Sequence, residues 1–385
     1  MAKNKIEVAD ATKLREPAGK ERGGGKSAES CEQACWQGGG GENISVTVCG
    51  SFPQLRYLLT KTVPLFEVGR EPTGFLVFQN LFYRRKTSMN RLQGLQGSIV
   101  ALITPFRADG SVNFEKLREL TAWHIENGTD AILALGTTGE SSTMTHEEDD
   151  AVLRTVIEAA AGRVPVIAGT GSNCTETMLE KSLRAERMGA DGLLLITPYY
   201  NKANTEGMVR HFTTVADAVT IPCILYNVPG RTGCSIAPEV VERLAAHPNI
   251  AGIKEASGDL SYAMKIAHCI SPDFALWSGN DDITLPLMAI GGSGVISVWA
   301  NVMPRACHDM VTDFLTGRRE QAVATAVKYL ELINGLFMEV NPIPVKTALN
   351  MMGWDVGPFR LPLYEMSEAH QAVLRRLLEE AGLLA

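Results

Sequence analysis

Residues 223–256 read CILYNVPGRTGCSIAPEVVERLAAHPNIAGIKEA. An apolar run, Cys223–Tyr226, breaks at a Pro-Gly turn. A helical pattern starts near Ala237, and a second apolar run, Ala251–Lys254, comes after it. Apolar runs without alternation suit strands buried on both faces, and parallel strands need a crossover between them. The stretch therefore predicts a strand–helix–strand unit.

The same beat recurs on both sides. Further strand-like runs fall at Ser98–Thr104, Ala131–Leu135, Val164–Ala168, Gly192–Thr197, Phe274–Trp277 and Gly294–Val298, which makes eight. Helical patterns cover Phe114–Asn127 and His146–Ala160, and others start near Asn204, Asp259, Asp281 and Pro304. Thr145 and Glu148 stand as the two halves of a capping box for the second helix. Eight such units indicate an α/β fold, a (β/α)8 (TIM) barrel, over an open sheet. No G-x-G-x-x-G comes after the first strand, which weakens a dinucleotide-binding sheet. Beyond the barrel, taken as residues 89–318, residues 319–385 read as a C-terminal helical addition: Glu320–Phe337, Pro342–Met352 and Ser367–Leu384.

Residues 1–88 differ in kind. They hold 13 basic and 9 acidic residues, against 23 and 34 in the remainder. Triple and quadruple glycines fall at 23–25 and 38–41, and prolines at 53, 64 and 72 break up the apolar patches that follow. The expectation is a largely disordered, low-complexity extension, with Met89 as a natural start for the barrel. Its early acids and lack of an apolar run do not suit a transit peptide or a secretory signal.

Composition narrows the function. The chain has 385 residues, 45% hydrophobic and 21% charged, with a net charge of −7. The acidic main body argues against a nucleic-acid partner. No apolar run is long enough to span a membrane. The five main-body cysteines show no paired metal spacing and read as reduced thiols, as in the cytoplasm. Cys31 and Cys35 lack a second ligand pair, so no metal is expected.

In a barrel of this kind chemistry gathers at the C-terminal ends of the strands. Lys254 ends one strand, where burial would disfavour its ammonium and leave an amine nucleophile. The plainer reading is a salt bridge to Glu255. Tyr226 ends the neighbouring strand, where its phenol could move protons or merely cap a core tyrosine. Thr137 and Thr138 lie on a glycine-flanked turn, suited to a carboxylate or to ordinary helix capping. Arg231 offers a planar fork for a second carboxylate, or a surface ion pair.

Together, Gly136–Glu140, Tyr226–Gly233 and Gly252–Ala256, in this order and spacing, resemble the Schiff-base class I aldolases that act on pyruvate. The resemblance is closest to the dihydrodipicolinate synthase family, and it runs from about Gly97 to Leu384, including Asn341–Lys346. It implies that Lys254 forms an imine with pyruvate and that the enamine attacks L-aspartate 4-semialdehyde, a step of diaminopimelate and lysine biosynthesis. It implies Tyr226 as proton donor and acceptor, and Thr137 as relay to Tyr200 of a neighbouring subunit. Thr138 and the backbone at Ile296 would hold the pyruvate carboxylate, Arg231 the semialdehyde carboxylate, and Gly279 would also belong to the substrate-binding set. It further implies a homotetramer built from two dimers, a cytoplasmic enzyme, and no cofactor. Sialic-acid lyases and keto-acid aldolases share the Lys and the Tyr, but usually lack an Arg at the position of Arg231. A sensor that kept the pocket without the chemistry should have lost Lys254 or Tyr226. In lysine-inhibited members a polar set lies between subunits. Ser141, His146, Asn173 and Tyr199 match it, while Asp149 and Thr177 replace a His and a Glu. Weak or absent lysine inhibition is the expectation.

Overall fold

In a computed structural model of the chain, residues 92–384 are described, together with the backbone of four strands between residues 31 and 68. The chain divides into two units, Met1–Ser88 and Met89–Ala385. In the first, Cys31–Gln37, Asn43–Cys49, Leu55–Leu59 and Phe66–Val68 pair antiparallel in chain order. The other residues before Leu92, and with them much of the expectation of a disordered extension, lie outside the described residues. So do the side chains of Cys31 and Cys35.

In the second unit eight parallel strands close on themselves in chain order. They are β1 (Gly97–Ala101), β2 (Ala131–Ala134), β3 (Val166–Gly169), β4 (Gly192–Ile196), β5 (Cys223–Asn227), β6 (Ile250–Glu255), β7 (Ala275–Ser278) and β8 (Gly294–Ser297). Strand periodicity splits the apolar residues into two cores. Ile99, Leu133, Ile167, Leu194, Ile224 and Trp277 belong to one apolar cluster, the barrel interior. Their neighbours Val100, Ile132, Leu193, Leu225 and Ile253 point outward, into the layer shared with the helices. Because Ile253 faces out, Lys254 faces in.

Eight helices alternate with the strands: α1 (Phe114–Glu126), α2 (His146–Ala160), α3 (Thr175–Met188), α4 (Thr205–Ala218), α5 (Pro238–Ala245), α6 (Leu260–Ile266), α7 (Thr284–Ala289) and α8 (Pro304–Leu315). The expected capping box at α2 is present. Thr145 Oγ1 accepts from Glu148 N at 3.2 Å, and Glu148 Oε2 accepts from Thr145 N at 3.0 Å. Such a cap contributes about 1 kcal/mol. Sequence reading named no helix at α3. Its N-cap residue, Cys174, makes no side-chain cap, and only Met178, Ser182 and Ala185 are buried, so both the start signal and the apolar stripe are weak. The C-terminal addition is helical as expected: α9 (Arg319–Gly335), α10 (Ile343–Met351) and α11 (Glu368–Glu380).

Candidate active site

The turn after β2 is held in an unusual backbone shape. Leu135 and Glu140, on either side of Gly136–Gly139, both adopt left-handed conformations, with φ of 59° and 53°. Non-glycine residues do this at a cost of order 1 kcal/mol or more, so the surroundings must impose it. The C-terminal addition supplies that constraint. Lys346, fully buried on α10, places Nζ 2.6 Å from Glu140 Oε1 and donates to the Pro358 carbonyl at 2.7 Å. The backbone N–H of Arg360 donates to Glu140 Oε2 at 3.2 Å. The Arg360 guanidinium then grips Glu148 with two bonds of 2.6 and 2.7 Å. From the same addition, Asn341 Nδ2 donates to Thr138 Oγ1 at 3.0 Å.

Across the barrel mouth, β5 and β6 are in register with Lys254 opposite Tyr226. Lys254 Nζ lies 4.6 Å from the centre of the Tyr226 ring. Both side chains are buried, 5% and 8% exposed. Desolvation pulls the Lys254 ammonium down to about 8; Asp281 pulls the other way, and Arg231 reinforces the fall. Asp281 is itself buried, and its Oδ2 accepts from Val298 N at 3.0 Å and Trp299 N at 3.1 Å. Burial pushes the Tyr226 phenol up to about 12, although a hydrogen bond with Thr137 and the charge of Arg231 oppose the rise. At neutral pH the pair is thus a protonated phenol beside an amine that gives up its proton readily. That is the equipment for imine formation and proton transfer.

The plainer reading of Lys254 fails. Glu255 faces the other side of the strand and accepts from Asn227 Nδ2 at 2.7 Å and Ser257 N at 2.6 Å. Ile296 lies inside the barrel on β8, fully buried. Gly279 comes directly after β7, where a Cβ would stand 2.9 Å from Lys254 Cε and 2.5 Å from the Ala256 Cβ. A side chain there would collide with the lysine stem. Arg231 sits on the helical turn Pro229–Thr232 after β5, exposed, with Nη2 donating to the Asn341 carbonyl at 3.1 Å.

Tyr200 is not brought to this cluster within one chain. It projects from the loop after β4, 92% exposed and with φ of 70°. Beside it, the Tyr199 carbonyl accepts from Asn173 Nδ2 at 3.2 Å. A cavity of about 300 Å³ joins Thr137 and Tyr226 to Ser141, His146 and Tyr199. Asp149 and Lys181 also line it, as an ion pair of 2.9 Å with side chains 3% and 15% exposed. Sequence reading missed Lys181 because the weak α3 hid its register. It also missed Asp281, although that residue stands just two positions beyond Gly279 at a strand end. Among the described residues no three His, Cys, Asp or Glu side chains gather as metal ligands. No helix among them is long and apolar enough to cross a membrane.

A (β/α)8 barrel with an easily deprotonated lysine and a phenol facing each other at its mouth defines the class: a lyase of the Schiff-base aldolase type. The model of the dihydrodipicolinate synthetase family matches residues 94–381. The chain is 51% identical, over 290 residues, to 4-hydroxy-tetrahydrodipicolinate synthase of Thermoanaerobacter sp. (strain X514), covering 75% of this chain and 97% of the relative. Dihydrodipicolinate synthase from Aquifex aeolicus superposes with a TM-score of 0.73 at 45% identity, over 75% of this chain and 99% of that one. The lysine-bound enzyme from Cyanidioschyzon merolae gives 0.74 at 42%, over 76% and 100%. The chain belongs to the dihydrodipicolinate synthetase family.

Proposed function

We infer that the chain is a lyase that condenses pyruvate with L-aspartate 4-semialdehyde, the reaction of 4-hydroxy-tetrahydrodipicolinate synthase, in diaminopimelate and lysine biosynthesis. The observation that carries this is the buried Lys254 amine against the Tyr226 ring. The neutral amine adds to the pyruvate carbonyl, and water leaves as the imine forms. Loss of a methyl proton gives the enamine, whose carbon attacks the aldehyde carbon. The substrate's own amine then closes the ring on the imine carbon and frees Lys254. The imine is the electron sink, so the scheme requires no metal or organic cofactor.

We assign Tyr226 as proton donor and acceptor, with Thr137 passing protons to Tyr200 of a second copy. The exposure of Tyr200 supports this, because its phenol is left open by the described residues of its own chain. The assembly we propose is a homotetramer, a dimer of dimers. Thr138, the Ile296 backbone and the space kept by Gly279 hold pyruvate, and Arg231 holds the semialdehyde carboxylate. Ser141, His146, Asn173 and Tyr199 form at most a weak allosteric site. Five free cysteines among the described residues suit a cytoplasmic setting. We take residues 89–318 as the catalytic barrel, 319–385 as its helical addition and 1–88 as an appendage without a part in the chemistry. A chain beginning at Met89 should keep full activity.

The deciding experiment is borohydride trapping. Incubated with pyruvate, reduced and digested, the protein should carry a mass adduct on the Lys254 peptide, and Lys254→Ala should carry none. An unmodified Lys254 in folded protein refutes the scheme.

A further inference from the structure

Asn341 hydrogen-bonds to both side chains assigned to substrate carboxylates. Its Nδ2 donates to Thr138 Oγ1 at 3.0 Å, and its carbonyl accepts from Arg231 Nη2 at 3.1 Å. It is 5% exposed, and its Oδ1 is buried without a hydrogen-bond partner among the described residues. It belongs to the C-terminal addition rather than to the barrel, five residues before the buried Lys346.

The direction of the first bond has a chemical consequence. An amide nitrogen can only donate, so Thr138 Oγ1 receives a hydrogen there. The hydroxyl therefore keeps its own proton for another acceptor. A carboxylate offers only acceptors. A threonine left unpartnered would spend part of its time with the proton turned to a nearby carbonyl and its lone pairs toward the substrate. We propose that Asn341 is a positioning residue that fixes the Thr138 hydroxyl as a donor to the pyruvate carboxylate. The effect is specific to one substrate. The bond to Arg231 comes from the backbone carbonyl, which any side chain at 341 would preserve.

This inference rests on the reading of Thr138 as a holder of the pyruvate carboxylate, and the test separates the two. Steady-state kinetics are measured for the wild type, Asn341→Ala, Thr138→Val and the double variant, varying each substrate in turn. Asn341→Ala should raise KM for pyruvate about tenfold, the scale of one hydrogen bond to a charged group, and leave KM for the semialdehyde within about twofold. Adding it to Thr138→Val should bring no further rise, since the hydroxyl it orients is gone. If Asn341→Ala raises both KM values alike, or multiplies fully with Thr138→Val, Asn341 acts as general support and the proposal falls alone. If Thr138→Val leaves KM for pyruvate unchanged, the reading of Thr138 falls and the proposal with it. Should the alanine variant fail to fold, Asn341→Ser, too short to reach Thr138 Oγ1, should give the same substrate-selective pattern.

Discussion

Lys254 and Tyr226 face each other from paired positions of adjacent strands, with the lysine nitrogen 4.6 Å from the ring centre. One low-dielectric pocket moves both groups in useful directions. It favours the neutral amine, which is the nucleophile, and the neutral phenol, which is the acid.

Imine formation should therefore depend on pH in a defined sense. Lys254 is held at about 8, so the free amine grows as pH rises toward that value and levels off above it. The Asp281 charge favours the ammonium. Asp281→Asn should move the midpoint of pyruvate-dependent borohydride trapping to lower pH. A midpoint that stays or rises would show that Asp281 does not act on Lys254.

Gly279→Ala should damage catalysis more than folding. The new methyl would meet Lys254 Cε at 2.9 Å and the Ala256 Cβ at 2.5 Å. Displacing the amine by about 1 Å can cost on the order of 100-fold in kcat/KM. The overpacking itself should cost about 1–3 kcal/mol. Near-normal turnover would mean that the lysine stem has room that the geometry denies it.

The Lys346–Glu140 pair makes a stability prediction. Lys346→Met leaves a carboxylate buried without its cation and should cost about 3–5 kcal/mol in urea unfolding. Adding Glu140→Gln should recover part of the loss, since no unpaired charge then remains. Additive losses would contradict the pairing.

L-lysine should inhibit weakly or not at all. Asp149, which stands where lysine-inhibited members often have a His, is already neutralised by Lys181 at 2.9 Å. The cavity thus contains an ammonium of its own, and Thr177 brings no carboxylate to bind another. Half-inhibition at sub-millimolar L-lysine would overturn this. Lys181→Ala, which frees Asp149, should increase whatever sensitivity exists.

The barrel was legible because buried parallel strands read as uninterrupted apolar runs, and because strand ends such as 226–233 and 252–256 carry their polar residues in order. Lys254 needed only strand parity to be aimed inward. Long-range partners were harder to see. Nothing local to Glu140 announces a buried lysine some two hundred positions later, and nothing local to Thr138 announces Asn341. The α3 helix escaped because its cap is a cysteine and its buried face is thin. Tyr200 was assigned by resemblance, since in a single chain it touches none of the groups it is proposed to serve.

The grip of Asn341, Lys346 and Arg360 on the turn after β2 bears on how the enzyme comes into being. During synthesis all eight strands leave the ribosome before these three residues do. A nascent chain could complete its barrel and still lack the braces that hold Glu140 and orient Thr138. Catalytic competence would then mature late, with the last helices, and an enzyme truncated before Arg360 would be a barrel without a working mouth.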